Sequence, residues 1–270
     1  MKHITSPHNA LIRQAEQLQR KSKARKKEQL FLIEGAREIT LAIKGDYQLQ
    51  TLLVCPEIFN QQEQVSKEFV QAQLGVSKDV ELISVSIEVY EKLAYRSGTE
   101  GCIAFAKAKT LQLTDLNLPN NALVLVAQSI EKPGNLGALL RTADAAAVDA
   151  VLLADPKCDL YNPNVIRSSV GCALTVPIAS TSTSEICEFL RMKEIDLYAA
   201  TLQTSIPYHT ASFKNSSAIA VGTEATGLTD EMRDAAKANI IIPMSGEIDS
   251  MNVSVSAAIL LFEAKRQRDF

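Results

Sequence analysis

The chain is poor in the residues that build metal centres and disulfide frameworks. Its 270 residues include three histidines, His3, His8 and His209. With no HExxH or other paired-ligand spacing, no metal is expected. The five cysteines, Cys55, Cys102, Cys158, Cys172 and Cys187, are odd in number and widely spaced. Without a CxxC pair they point to reduced thiols in a cytoplasmic protein rather than to disulfides or zinc. Long apolar runs are missing too. AVLLA at Ala150–Ala154 typifies the longest, far short of the roughly 20 residues a membrane helix needs. The first ten residues, MKHITSPHNA, hold no apolar signal core, so neither membrane insertion nor export is expected.

Excess positive charge is also absent, since the formal net charge is -3. That balance argues against a general nucleic-acid binder, but it is unevenly spread. Residues 1–110 carry 16 Lys and Arg against 13 Asp and Glu, and the remainder 12 against 18. The first part is therefore the better candidate for touching phosphates. What the sequence does have is length and apolar content, 46% of residues, enough for a real core in one large or two modest domains.

From Ser6 to Gln19 the apolar residues have helical spacing. The next eight residues, RKSKARKK, hold six cations: Arg20, Lys21, Lys23, Arg25, Lys26 and Lys27. They read either as a solvated helix face or as an electrostatic footprint for a nucleic-acid backbone. Strand candidates at Phe31–Gly35, Thr51–Cys55, Val80–Val85 and Gly101–Lys107 alternate with helical stretches, which predicts a small α/β domain over 1–107. The turn-rich stretch 108–121, with Pro119-Asn120-Asn121, is a linker. After it, very apolar strands alternate with helices through 122–270. That pattern predicts an α/β domain with a parallel sheet covered on both faces, whose ligands sit at the carboxyl ends of the strands.

Three polar loops lie at such ends. In the first, Ser129–Val148, a Pro133-Gly134 turn precedes a helix predicted over Leu136–Val148, with Arg141 on it. It reads as an ordinary turn with an exposed arginine or as a phosphate-facing helix start. The second, Ala220–Met232, has the G-x-x-x-x-G-x-T frame of a phosphate loop between Gly222 and Thr229, but Leu228 stands where the lysine belongs. With Asp230 and Glu231 following, a polyphosphate would be repelled, and a nucleoside-bearing ligand suits the loop better. Glu224 could accept a hydrogen bond there or serve only as a surface carboxylate. The third follows the short strand Ile240–Ile242 and runs through Met244–Met251 to a final helix, which Ser250, Asn252 or Ser254 could cap.

Taken together and in order, NxGxxxR at Asn135–Arg141, GTEATGL at Gly222–Leu228 and IPMSGEIDSMNVSVS at Ile242–Ser256 resemble the three motifs of the SpoU (TrmH-type) RNA ribose 2'-O-methyltransferases. DLYNPNVIRSSVGCALTVPI at Asp159–Ile178 is similar to that family's spacer. The first 107 residues resemble its L30e-like substrate-binding domain. Met251 replaces the family's usual leucine, a volume-conserving swap.

The resemblance implies a catalytic domain with a deep trefoil knot, a homodimer, and S-adenosylmethionine as methyl donor. By motif position, Gly222, Ile242 and Met251 would hold the cofactor, with Thr201 and Met244 nearby. Arg141 matches the family's catalytic arginine, while Asn135, Glu224, Asn252 and Ser254 would position it and the ribose. An arginine stays protonated at ordinary pH, so its expected role is electrostatic, on the ribose phosphate and the developing alkoxide. The substrate implied is structured RNA, ribosomal RNA first, with transfer RNA or a non-catalytic RNA-binding role as alternatives. The six cations then become expected RNA contacts.

Overall fold

A computed structural model describes residues 2–61, 66–95, 100–223, 226–247 and 250–268. The chain divides into two compact units, one made of residues 1–109 with 161–175, the other of 110–160 with 176–270.

The first unit runs β1 (Lys2–Ile4), α1 (Ala10–Arg20), α2 (Ser22–Glu28), β2 (Leu30–Glu34), α3 (Ala36–Lys44), β3 (Leu49–Val54), α4 (Pro56–Phe59), α5 (Lys67–Leu74), β4 (Glu81–Val85), α6 (Ile87–Leu93) and β5 (Cys102–Lys107). Its sheet has the order β1-β4-β3-β5-β2, parallel from β1 to β3 and antiparallel where β5 meets β3 and β2. The apolar stripe of α1, Ile12, Ala15 and Leu18, is buried with Leu32, Ile83, Val89 and Leu93, as i, i+3, i+6 spacing on one helix face requires. Side-chain caps fix the helix starts: Asn9 accepts from Leu11 N, Ser66 from Phe69 N and Ser86 from Val89 N.

The second unit begins with β6 (Leu123–Gln128), α7 (Pro133–Ala145) and β7 (Ala150–Ala154). The chain then leaves it through α8 (Pro163–Ser168), which belongs to the first unit, and returns with β8 (Ile178–Thr181). It continues as α9 (Thr183–Met192), β9 (Asp196–Ala200), β10 (Ile206–Pro207), β11 (Ser217–Val221), α10 (Asp230–Asp234), β12 (Ala238–Ile241) and α11 (Val253–Gln267). The strand order among described residues is β10-β12-β9-β11-β6-β7-β8, and every pairing is parallel. Val124, Val126, Leu152, Ala199 and Ala220 are packed with Ile186, Leu190 and Met232 of α9 and α10. The alternate residues point to the other face, where α11 packs on α7 and β11. Both faces are thus covered, as the apolar runs required.

Several elements differ from the sequence reading. The helix after β6 starts at Pro133, not Leu136, because proline is favoured in a first turn that has no N–H bond to lose. Within the stretch Asp159–Ile178, residues 172–174 form a 3-10 turn and β8 begins only at Ile178. The stretch 161–175, read above as part of 122–270, packs with the first unit. Tyr161 stacks on Phe31 with ring centroids 4.2 Å apart, and its hydroxyl accepts from Lys109 N at 2.9 Å. A Cβ on Gly45 would lie 1.8 Å from the Leu174 carbonyl oxygen, so this close approach needs glycine.

Candidate functional site

The carboxyl ends of β9, β11 and β12 open into a cleft of about 320 Å³, within the size range of small-molecule sites. Its apolar walls come from Val221, Ile240, Ile241 and Ile242, joined by Leu202 and the partly exposed Met244. Thr201, Gly222, Ile242, Met244 and Met251, singled out from the sequence, all line it. Ser250, Val253 and Ser256 line it as well.

The loop after β11 folds back on itself. Thr223 and Gly227 form an isolated bridge, with Gly227 N donating to Thr223 O at 3.0 Å. Thr226 N donates to the Thr223 hydroxyl at 3.1 Å. Gly227 has φ +66, and a Cβ on Gly222 would lie 2.3 Å from the Gly227 carbonyl. Both glycines are therefore dictated by backbone geometry, one by the left-handed conformation and one by close approach. Glu224 of this loop lies outside the described residues.

Beside the cleft, Asn252 is the N-cap of α11. Its Oδ1 accepts from Ser254 N at 3.0 Å and from the Ser254 hydroxyl at 2.6 Å. With the oxygen so engaged, Nδ2 faces the other way and donates to Asn135 Oδ1 at 3.2 Å. Asn135 sits in the first turn of α7, so this bridge ties the starts of two helices that are 117 residues apart. Three of the residues assigned to catalysis, Asn135, Asn252 and Ser254, are thereby brought together. Arg141 projects from α7 into solvent and makes no hydrogen bond or ion pair among the described residues. Its fork is free for an incoming anion.

A buried network beneath these loops escaped sequence reasoning. Gln128, 1% exposed at the end of β6, donates through Nε2 to the Thr183 hydroxyl at 2.6 Å and the Thr229 hydroxyl at 2.9 Å. Its Oε1 accepts from Thr229 N at 2.9 Å. The Thr183 hydroxyl in turn donates to Asp155 Oδ2 at 2.5 Å. Thr229 caps α10. Gln128 thus links the origin of the first loop to the end of the second. Immediately beyond it, Ser129 (φ 54) and, at the end of β7, Asp155 (φ 44) hold left-handed conformations without being glycine, the kind of strain that surrounding bonds must sustain. The only sequence signal was a polar residue closing an otherwise apolar strand.

Of the six cations, Arg20, Lys21, Lys23, Lys26 and Lys27 are exposed on α1 and α2. Arg25 is a correction. It is 4% exposed, and its guanidinium donates to Leu18 O at 2.5 Å and Gln19 O at 3.2 Å. It caps the carboxyl end of α1 instead of facing a ligand. Burial pushes the Cys55 thiol up to about 11 and Cys102 higher still, which disfavours the thiolate at both. Among the described residues no helix is long and apolar enough to cross a membrane.

Comparison with known proteins bears on both units. Residues 122–262 match the model of the SpoU rRNA Methylase family, and residues 9–104 match an MRM3-like substrate binding domain. The chain is 28% identical over 265 residues to the 23S rRNA (guanosine(2553)-2'-O)-methyltransferase RlmP of Bacillus subtilis (strain 168), covering 98% of this chain and 100% of that one. A crystal structure of an RNA 2'-O ribose methyltransferase is 40% identical with a TM-score of 0.83, over 99% of this chain and 100% of the other. An AdoMet-bound rRNA methyltransferase from Sinorhizobium meliloti is 26% identical with a TM-score of 0.88, covering 98% and 97%.

Proposed function

The chain belongs to the SpoU rRNA methylase family, and we propose that it transfers a methyl group from S-adenosylmethionine to a ribose 2'-hydroxyl of ribosomal RNA. The observation that carries this reading is a convergence. Residues from the second and third motif loops line one cleft with Thr201, and the Asn135–Asn252 bridge ties the first motif to the residues beside it.

The cleft fits the cofactor. Its isoleucine walls suit an adenine face, and its Gly222–Gly227 edge is bare backbone, packed too closely for a Cβ on Gly222. When bound, S-adenosylmethionine supplies an electrophilic methyl on a sulfonium. Thr201, Gly222, Ile242, Met244 and Met251 would hold it. Exposed Arg141 would bind the ribose phosphate and stabilise negative charge growing on the 2'-oxygen, since a guanidinium keeps its proton. Asn135 and Asn252, each oriented by the other, would place the ribose, with Ser254 fixing the Asn252 amide. Glu224 remains assigned to this group on motif position alone.

The RNA would be gripped by the first unit, where five cations of α1 and α2 face solvent. A homodimer is part of the proposal. Val255 (48% exposed), Ile259 and Phe262 (39% exposed) lie at i, i+4 and i+7 along α11, an apolar stripe suited to a second copy. So too are the trefoil knot, in keeping with α11 packed back on α7 and β11, and a cytoplasmic location, in keeping with five free cysteines.

Arg141→Ala should lower tritiated-methyl transfer to ribosomal RNA by at least about 100-fold, the scale of an oxyanion-stabilising donor. Calorimetric binding of S-adenosylmethionine should be unchanged. Transfer near wild type would remove Arg141 from the reaction, and an absence of cofactor binding in the wild type would leave a non-catalytic RNA-binding protein.

A further inference from the structure

The first unit holds an exposed aromatic side chain that no part of the methyl-transfer site uses. Tyr95 follows α6 and is 42% exposed. The Arg167 guanidinium, from α8, lies over its ring with Cζ 5.8 Å from the centroid. Both side chains keep their polar groups available: neither the Tyr95 hydroxyl nor the Arg167 guanidinium has a hydrogen-bond or ion-pair partner among the described residues. An arginine with a satisfied charge would be a packing element, but one layered on an open tyrosine with all its donors in solvent is a recognition surface.

The platform is held in place. Tyr95 N donates to Glu34 Oε2 at 2.8 Å, which pins the residue to the end of β2. Gln19 Nε2 donates to Leu93 O at 2.6 Å, which pins the carboxyl end of α1 to the carboxyl end of α6. The residues after Gln19 are Arg20 and Lys21, so the cationic ridge begins where the Tyr95 platform ends. Arg25, by capping α1, keeps that ridge in register.

Beneath the pair is a recess lined by Glu34, Glu38, Leu32 and Ile166. Its enclosed volume of about 30 Å³ admits about one or two waters and no purine, so a ring would lie on the rim. The carboxylates of Glu34 and Glu38 make the recess unfavourable for a phosphate. Charge therefore sorts the two halves of the surface, phosphates to α1 and α2 and a base to Tyr95.

We infer that Tyr95 and Arg167 form a stacking platform for an unpaired nucleobase of the RNA, next to the backbone-binding ridge of α1 and α2. The inference rests on the reading of this chain as an RNA enzyme. It adds a site that recognises single strands, because a base in a duplex has no open face to offer.

The test uses the full chain, a fluorescein-labelled ten-nucleotide oligoadenylate and a blunt RNA duplex of ten base pairs. Tyr95→Ala should weaken oligoadenylate binding about 5- to 100-fold, the range for losing one stacked base, and leave duplex binding and the salt slope unchanged. Tyr95→Trp should restore it. Lys23→Ala with Lys26→Ala should instead flatten the salt dependence on both RNAs. Wild-type affinity of Tyr95→Ala for oligoadenylate, an equal loss on the duplex, failure of Tyr95→Trp to rescue, or no oligoadenylate binding by the wild type would each overturn the platform. Calorimetry with S-adenosylmethionine on the same proteins separates the two claims, since loss of cofactor binding in the wild type would strike the methyltransferase reading and leave the platform standing.

Discussion

Gln128 engages both loops at once with a single amide, and its two ends are not interchangeable. Oε1 takes the Thr229 N–H, so Nε2 must face the two threonine hydroxyls. Gln128→Met keeps the shape and removes all three bonds, leaving the Thr229 N–H without its acceptor at a cost of about 1–3 kcal/mol. Because the loop that ends at Thr229 lines the cleft, the Michaelis constant for S-adenosylmethionine should rise about 10-fold, a shift of ~1.4 kcal/mol, while that for RNA stays unchanged. Initial-rate kinetics varying each substrate in turn would show it. An equal rise in both constants would mean general damage. Arg25→Ala should lower the unfolding free energy by about 1–3 kcal/mol through two lost charge-assisted bonds, read from the urea midpoint, without changing the salt slope of RNA binding. The other five cations should do the reverse. A run of six like charges could not by itself reveal which one turns inward; that depends on where α1 ends.

At the scale of elements, Asn252 does two jobs that a substitution can separate. Asn252→Asp keeps an oxygen to cap α11 but has no donor for Asn135. It should melt within a few degrees of wild type and transfer methyl at least about 10-fold more slowly. Asn252→Ala should lose about 1 kcal/mol of stability as well. Thermal denaturation and the transfer assay on both proteins distinguish the roles. Much of this architecture was legible in the sequence. Apolar runs with caps located the helices and the parallel strands, and the second and third loops located the cleft. Short elements were not: β1 and β10 span three and two residues, too few for a period of two to register. α10 spans only Asp230–Asp234, since residues 238–241 are drawn into the sheet beside β9. The packing of 161–175 with the first unit depends on Phe31, Tyr47 and Tyr161 meeting across more than 100 residues, which no local pattern encodes. Gln128 was missed for the same reason, its partners lying 55 and 101 residues away.

At the scale of the whole molecule, the apolar stripe of α11 and the charge asymmetry between the two halves of the chain bear on assembly and substrate. Sedimentation should give twice the 29.4 kDa chain mass. Val255→Glu with Phe262→Glu should shift it to the monomer, because a buried carboxylate without a partner is costly. A monomeric wild type would assign the stripe to something other than a second copy. The measurement that reaches furthest is methyl transfer itself. Purified protein would be incubated with tritiated S-adenosylmethionine and, separately, with ribosomal RNA and transfer RNA, and the product mapped by alkali- and nuclease-resistant dinucleotides. Label in one resistant dinucleotide of ribosomal RNA, lost with Arg141→Ala, is the predicted result; label on a base, on transfer RNA alone, or nowhere would contradict it.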